Sequence, residues 1–126
     1  MKKLILILFL FPLLMANTCE DDRYEDYPCT AEARAGLNVS VSLGSQNSIT
    51  SDGVTVVATH GNYTETLVAY NENDPIFSGA YERRGNYIIT VSKEGYQTYT
   101  SGLVMVKRDE CHVIPKFVHV SLQPNP

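Results

Sequence analysis

From Leu37 to Leu43 the chain sets Leu37, Val39, Val41 and Leu43 in alternation with Asn38, Ser40 and Ser42, so all four aliphatic side chains share one face of an extended strand. The same period of two recurs down the chain, and after the first apolar stretch no segment reads as a helix. Ser51-Asp52-Gly53 is a turn signal, followed by the β-branched run Val54 to Thr59. His60-Gly61-Asn62 turns the chain again, and Tyr63 to Tyr70 reads as one further strand. A short strand is expected around Ile76 to Glu82, and the clearest one opens at Gly85, with Tyr87, Ile89 and Val91 on one face. After the Glu94-Gly95 turn, Tyr96 to Thr100, Leu103 to Val106 and Phe117 to Leu122 complete the set. Short strands separated by turns at such intervals predict an all-β fold, an antiparallel β-sandwich of about seven strands.

Length and charge narrow the partners. Without its first apolar stretch the chain fits one domain of about 100 residues. The formal charge is −4 for the whole chain, and removing Lys2 and Lys3 takes it to −6. The densest positive group is Arg83-Arg84, far short of the basic stripe that a phosphate backbone requires, so nucleic acid is excluded as a partner.

The N-terminus is an address. Lys2 and Lys3 precede an unbroken apolar run from Leu4 to Met15, the layout of a signal peptide and too short for the roughly 20 residues of a membrane span. Cys19 follows, and then the acidic run Glu20-Asp21-Asp22. Residues 1–26 resemble the start of a bacterial lipoprotein whose mature first residue is an acylated cysteine. The resemblance implies lipidation of Cys19, a membrane anchor and a place in the cell envelope, at the outer membrane or cell surface. Ala16 and Thr18 depart from the usual large aliphatic and Gly, Ala or Ser at those two places, whereas the acidic cluster fits surface-exposed members. Ordinary cleavage beside Ala16 and Thr18 is the alternative. The organisation expected is a signal peptide at 1–18, an acidic tether at 19–28 and a globular domain at 29–126.

Three cysteines are an odd number for an exported chain. With Cys19 lipidated, Cys29 and Cys111 remain to pair. Their bridge would close nearly the whole domain, stabilising it by about 4 to 5 kcal/mol in the chain-entropy picture. A Cys19 to Cys29 bridge is the competing pairing and would cross-link only the tether.

Gly85-Asn86-Tyr87-Ile88-Ile89-Thr90-Val91-Ser92-Lys93-Glu94-Gly95-Tyr96 resembles the signature of carboxypeptidase regulatory-like domains, through Gly85, Tyr87, Val91, Gly95 and Tyr96. Gly53-Val54-Thr55-Val56 fits that family's second strand, and the resemblance spans most of residues 36–122. It implies a transthyretin-like, Ig-like sandwich in a structural or adhesive role, and the excursion Asn71 to Pro75 departs from it. Read as residues alone, Gly85 and Gly95 suit the two ends of a hairpin strand, and Tyr87 and Tyr96 are packing residues over the core edges.

Chemistry is thin. His60, His112 and His119 lack metal-ligand spacing, no nucleophile elbow occurs, and no catalytic residue or cofactor is expected. Asn71, Asn73 and Asp74 form an oxygen-rich loop with a weak resemblance to a calcium site, set against a solvated turn. The sequons at Asn38 and Asn62 are coincidental in a bacterial lipoprotein. The expectation is a non-catalytic, lipid-anchored structural or interaction module with a protein or glycan partner. Two alternatives are a secreted carbohydrate- or peptide-binding module, which an exposed row of Tyr63, Tyr70 or Tyr99 would favour, and an accessory unit of a hydrolase.

Overall fold

The computed structural model describes residues 28–126. The expected signal peptide, Cys19 and the tether as far as Tyr27 lie outside the described residues.

Alternation sets the inner layer. In β1 (Ala35–Leu43), Leu37, Val39 and Val41 point inward with no exposure, while Asn38 and Ser40 look outward. The other strands are β2 (Thr55–His60), β3 (Tyr63–Thr66), β4 (Val68–Ala69), β5 (Phe77–Tyr81), β6 (Gly85–Ser92), β7 (Tyr99–Thr100), β8 (Val104–Val106) and β9 (Lys116–Leu122). They form two sheets, one ordered β4-β5-β1-β9 and one ordered β3-β2-β6-β7, with β8 also on β6. Leu37, Val39, Val41, Phe77, Val120 and Leu122 face Val56, Ala58, Tyr87, Ile89, Val91 and Val106 across the core. An all-β sandwich is therefore the fold, as its alternation predicts.

Three details differ from the sequence reading. The strand expected from Tyr63 to Tyr70 is two strands, because the chain leaves β2 after Leu67 and continues as β4 beside β5. Leu67 is 3% exposed, so burial of one leucine pins the step from sheet to sheet. Nine strands rather than seven result among the described residues, two of them only two residues long. The third difference is direction: β1 and β9 run parallel over seven register pairs, Leu37 opposite Lys116 through Leu43 opposite Leu122. Parallel neighbours start at the same end of a sheet, so the segments before β1 and before β9 are brought together.

The Cys29–Cys111 disulfide is the consequence. Each cysteine precedes one of the two parallel strands by five or six residues, and their Cα atoms stand 5.2 Å apart, within the ordinary span of a bridge.

Candidate functional site

Three polar assemblies lie on this frame. The densest sits beside the disulfide, where the β5–β6 turn meets the segments flanking β1 and β9. Glu82 occupies the turn in the left-handed region, with φ 51°, and Ala80 two residues earlier has φ 53°. Non-glycine residues rarely adopt this conformation, so the surroundings must enforce it. The Glu82 carboxylate does so by accepting four donors: the Arg34 N–H at 2.9 Å, His112 Nδ1 at 2.7 Å, the Val113 N–H at 3.2 Å and Arg108 Nη1 at 3.4 Å. The Glu82 N–H donates in turn to the Arg34 carbonyl at 3.0 Å. The Arg34 N–H holds the Glu82 carboxyl below the usual carboxylate range, with His112 and Val113 adding to the effect.

His112 is 6% exposed and lies between two partners. A carboxylate only accepts, so Nδ1 carries a proton toward Glu82, and Nε2 hydrogen-bonds to Thr30 Oγ1 at 3.0 Å. The chain hydroxyl–imidazole–carboxylate has the connectivity of a nucleophilic triad. Here it spans three separate segments, around residues 30, 82 and 112, and ties the start of the described chain to the body of the sandwich. Asp109 braces the same loop by accepting the Cys111 and His112 N–H groups at 2.9 Å each, and its carboxyl is held below the usual range by these bonds, His112 first. An open cleft of about 230 Å³ adjoins the array, lined in part by Pro28, Thr30, Arg34, Glu110 and His112.

The second assembly caps the β3 side. Arg83 Cζ lies 3.6 Å above the Tyr63 ring, and its Nη1 donates to Tyr87 Oη at 3.0 Å. Tyr63 Oη donates to Glu65 Oε1 at 2.5 Å, and Glu65 accepts the N–H of the strained Ala80 at 3.0 Å. That bond to Glu65, and then burial, raise the Tyr63 phenol above its usual value.

The third lies on the outer face of β1 and β9. His119 Nδ1 meets Ser40 Oγ at 2.9 Å and its Nε2 meets Ser42 Oγ at 3.1 Å. Both ring nitrogens are thereby occupied, and no carboxylate orients the ring among the described residues. Phe117 stands beside them, 75% exposed, over a hollow of about 140 Å³ shared with Asn38, Ile76 and Val118.

The residues singled out in the sequence are dispersed. Tyr87 is fully buried in the core rather than at its edge, and it alone of the motif residues touches a polar assembly, through its hydroxyl. Val91 is buried, and Tyr96 is half-buried, bridging to Pro124. Gly95 turns with φ 86°, whereas Gly85 is needed for close approach, because a Cβ there would meet the His60 ring. Asn71 accepts the Asn73 N–H through its side-chain oxygen and the Asp74 N–H through its carbonyl, closing a turn. Tyr63, Tyr70 and Tyr99 form no aromatic row: Tyr63 lies under Arg83, Tyr70 beyond edge strand β4, and Tyr99 on β7 at the far edge of the other sheet. Glu82, Thr30, Arg34 and Arg108 carry no motif in the sequence.

A scan against protein-family models and a search of curated proteins both find no match to this chain.

Proposed function

We propose that the protein is a membrane-anchored lipoprotein of the bacterial cell envelope, whose β-sandwich is a non-catalytic structural or interaction module of the carboxypeptidase regulatory-like kind. One observation carries this reading. The Cys29–Cys111 bridge uses two of the three cysteines, which leaves Cys19, directly after the apolar leader, as the residue for an acyl chain. A bridge joining residues 82 apart also suits an oxidising, extracytoplasmic compartment. The polar assemblies support a module rather than an enzyme, since Glu82, Asp109 and Glu65 spend their oxygens on backbone N–H groups and turn geometry. The scattered tyrosines favour a structural or protein-contacting role over a glycan-stacking platform. Growth with an alkyne-tagged fatty acid, followed by membrane fractionation, tests the anchor. Wild type should carry the tag and sediment with membranes, and Cys19→Ala should do neither; an untagged, soluble wild type would overturn the proposal.

A further inference from the structure

Topology places β8 and β9 on the same side of the sandwich. Strands β3 and β4 join through the single residue Leu67, so they mark one lateral edge of the two sheets, and β8 and β9 mark the other. On that second edge stand Met105 of β8 at 49% exposure and Phe117 of β9 at 75%, with Leu103 at 72% just before β8 and Ile114 at 46% on the connection between the two strands. Among the described residues the other exposed large hydrophobic side chains are three tyrosines and Val68, so apart from Val68 the exposed non-tyrosine apolar side chains lie on β8, β9 or the chain directly beside them. Lys107 and Lys116 flank it, exposed, and neither is in an ion pair among the described residues. Of the acidic side chains nearby, Glu82 and Asp109 are occupied by donors, which leaves Glu110.

The same connection holds Cys111 and, through the disulfide, Cys29. Ten residue steps separate Cys29 from Cys19, which even fully extended reach about 35 Å. We propose that this lateral edge lies against the lipid surface to which the protein is anchored, with Leu103, Ile114 and Phe117 in the headgroup layer and Lys107 and Lys116 toward lipid phosphates. The inference rests on the reading of Cys19 as the acylated residue. Contact is shallow for a physical reason. The Leu122 carbonyl accepts from Gly44 on the β1 side and the Gln123 carbonyl from Gln97 on the opposite side, so by alternation the N–H and C=O groups of Phe117, His119 and Ser121 face off the open edge. Those groups must keep water or headgroup partners and cannot enter hydrocarbon.

The chain contains no tryptophan, so single reporters are clean. Full-length acylated protein carrying Leu103→Trp, Phe117→Trp or, as a control beyond the opposite edge, Tyr70→Trp would be reconstituted in phosphatidylethanolamine and phosphatidylglycerol vesicles doped with phosphatidylcholine brominated in its acyl chains. All three positions are exposed, and near-native circular dichroism confirms folding. The proposal predicts that L103W and F117W lose about half their emission, more with bromines near the headgroup than with bromines deep in the chain, while Y70W is unaffected. Equal emission from all three in protein that floats with the vesicles would overturn the lipid contact and leave the anchor standing. Shielding of L103W and F117W in native membranes but not in vesicles would also overturn it and assign the edge to a protein partner. Protein that carries no acyl chain and fails to float would sink both readings.

Discussion

Glu82 shows how one residue can hold a fold's irregular end together. Its backbone is strained and its side chain accepts four donors from two segments, the one before β1 and the connection between β8 and β9, so its ionised form is favoured more strongly in the folded state than in the unfolded chain. Glu82 and Asp109 both titrate below their usual range when folded. Their stabilisation is complete above the ordinary carboxylate pKa, about 4, and is lost as pH falls through the lower folded values. Thermal melts should therefore show Glu82→Gln well below wild type at pH 7, with the two curves converging in strong acid, where Glu82 itself is protonated; parallel curves down to strong acid would contradict the role. Tyr63 gives the opposite sign. Its raised phenol stabilises the fold up to the ordinary tyrosine pKa, and that contribution is lost as pH climbs through the higher folded value. Tyr63→Phe should cost about 1 kcal/mol in urea unfolding at pH 7, the loss of one partly exposed hydrogen bond to a carboxylate.

Among the elements, β1 and β9 carry the account, and packing on their two faces should separate cleanly under mutation. Leu37→Ala opens a cavity under β1 and should cost about 2 to 5 kcal/mol, whereas Phe117→Ala on β9 removes a side chain already in water and should cost less than about 0.5 kcal/mol. Comparable losses at both positions would mean that Phe117 is packed. On β5, a Cβ at Gly79 would come within 2.6 Å of Leu67 Cδ2 and 2.5 Å of Glu65 Oε2. Gly79→Ala should cost about 1 to 3 kcal/mol by pushing apart β5 and the Leu67 step between sheets. Alternation made β1, β6 and β9 readable, because each buries one face and leaves the other in contact with solvent, whereas a β-branched run after a turn signal marked β2. Pairing partners and their direction are not written in alternation, so the parallel β1–β9 contact emerges only from the assembled sheet. The Leu67 step is hidden for a related reason: an unbroken extended run looks the same whether it stays on one sheet or changes sheets. The Thr30, His112 and Glu82 array joins residues up to 82 positions apart and depends on a left-handed turn imposed by tertiary contacts, which neither composition nor local propensity encodes.

For the whole molecule, the Cys29–Cys111 bridge ties the start of the domain to the approach of its last strand. It closes a loop over a sequence separation of 82, for which the chain-entropy model gives about 4.5 kcal/mol, a large share of the 5 to 15 kcal/mol typical of a domain. Reduction should lower the urea midpoint markedly with little change in the folded circular dichroism spectrum, because the sheets themselves do not contain the cysteines. The bridge and the clamp at Glu82 both lie where the N-terminal segment joins the body, so a pull on the proposed lipid anchor would be borne by the parallel β1–β9 pair and the covalent link beside it. The most direct test of the anchored, disulfide-closed reading is the intact mass of the mature protein extracted from its native membrane, before and after reduction. A diacyl- or triacylglyceryl adduct on a chain beginning at Cys19, gaining two hydrogens on reduction, is the predicted result. An unacylated chain, or an acylated one whose mass reduction leaves unchanged, would contradict it.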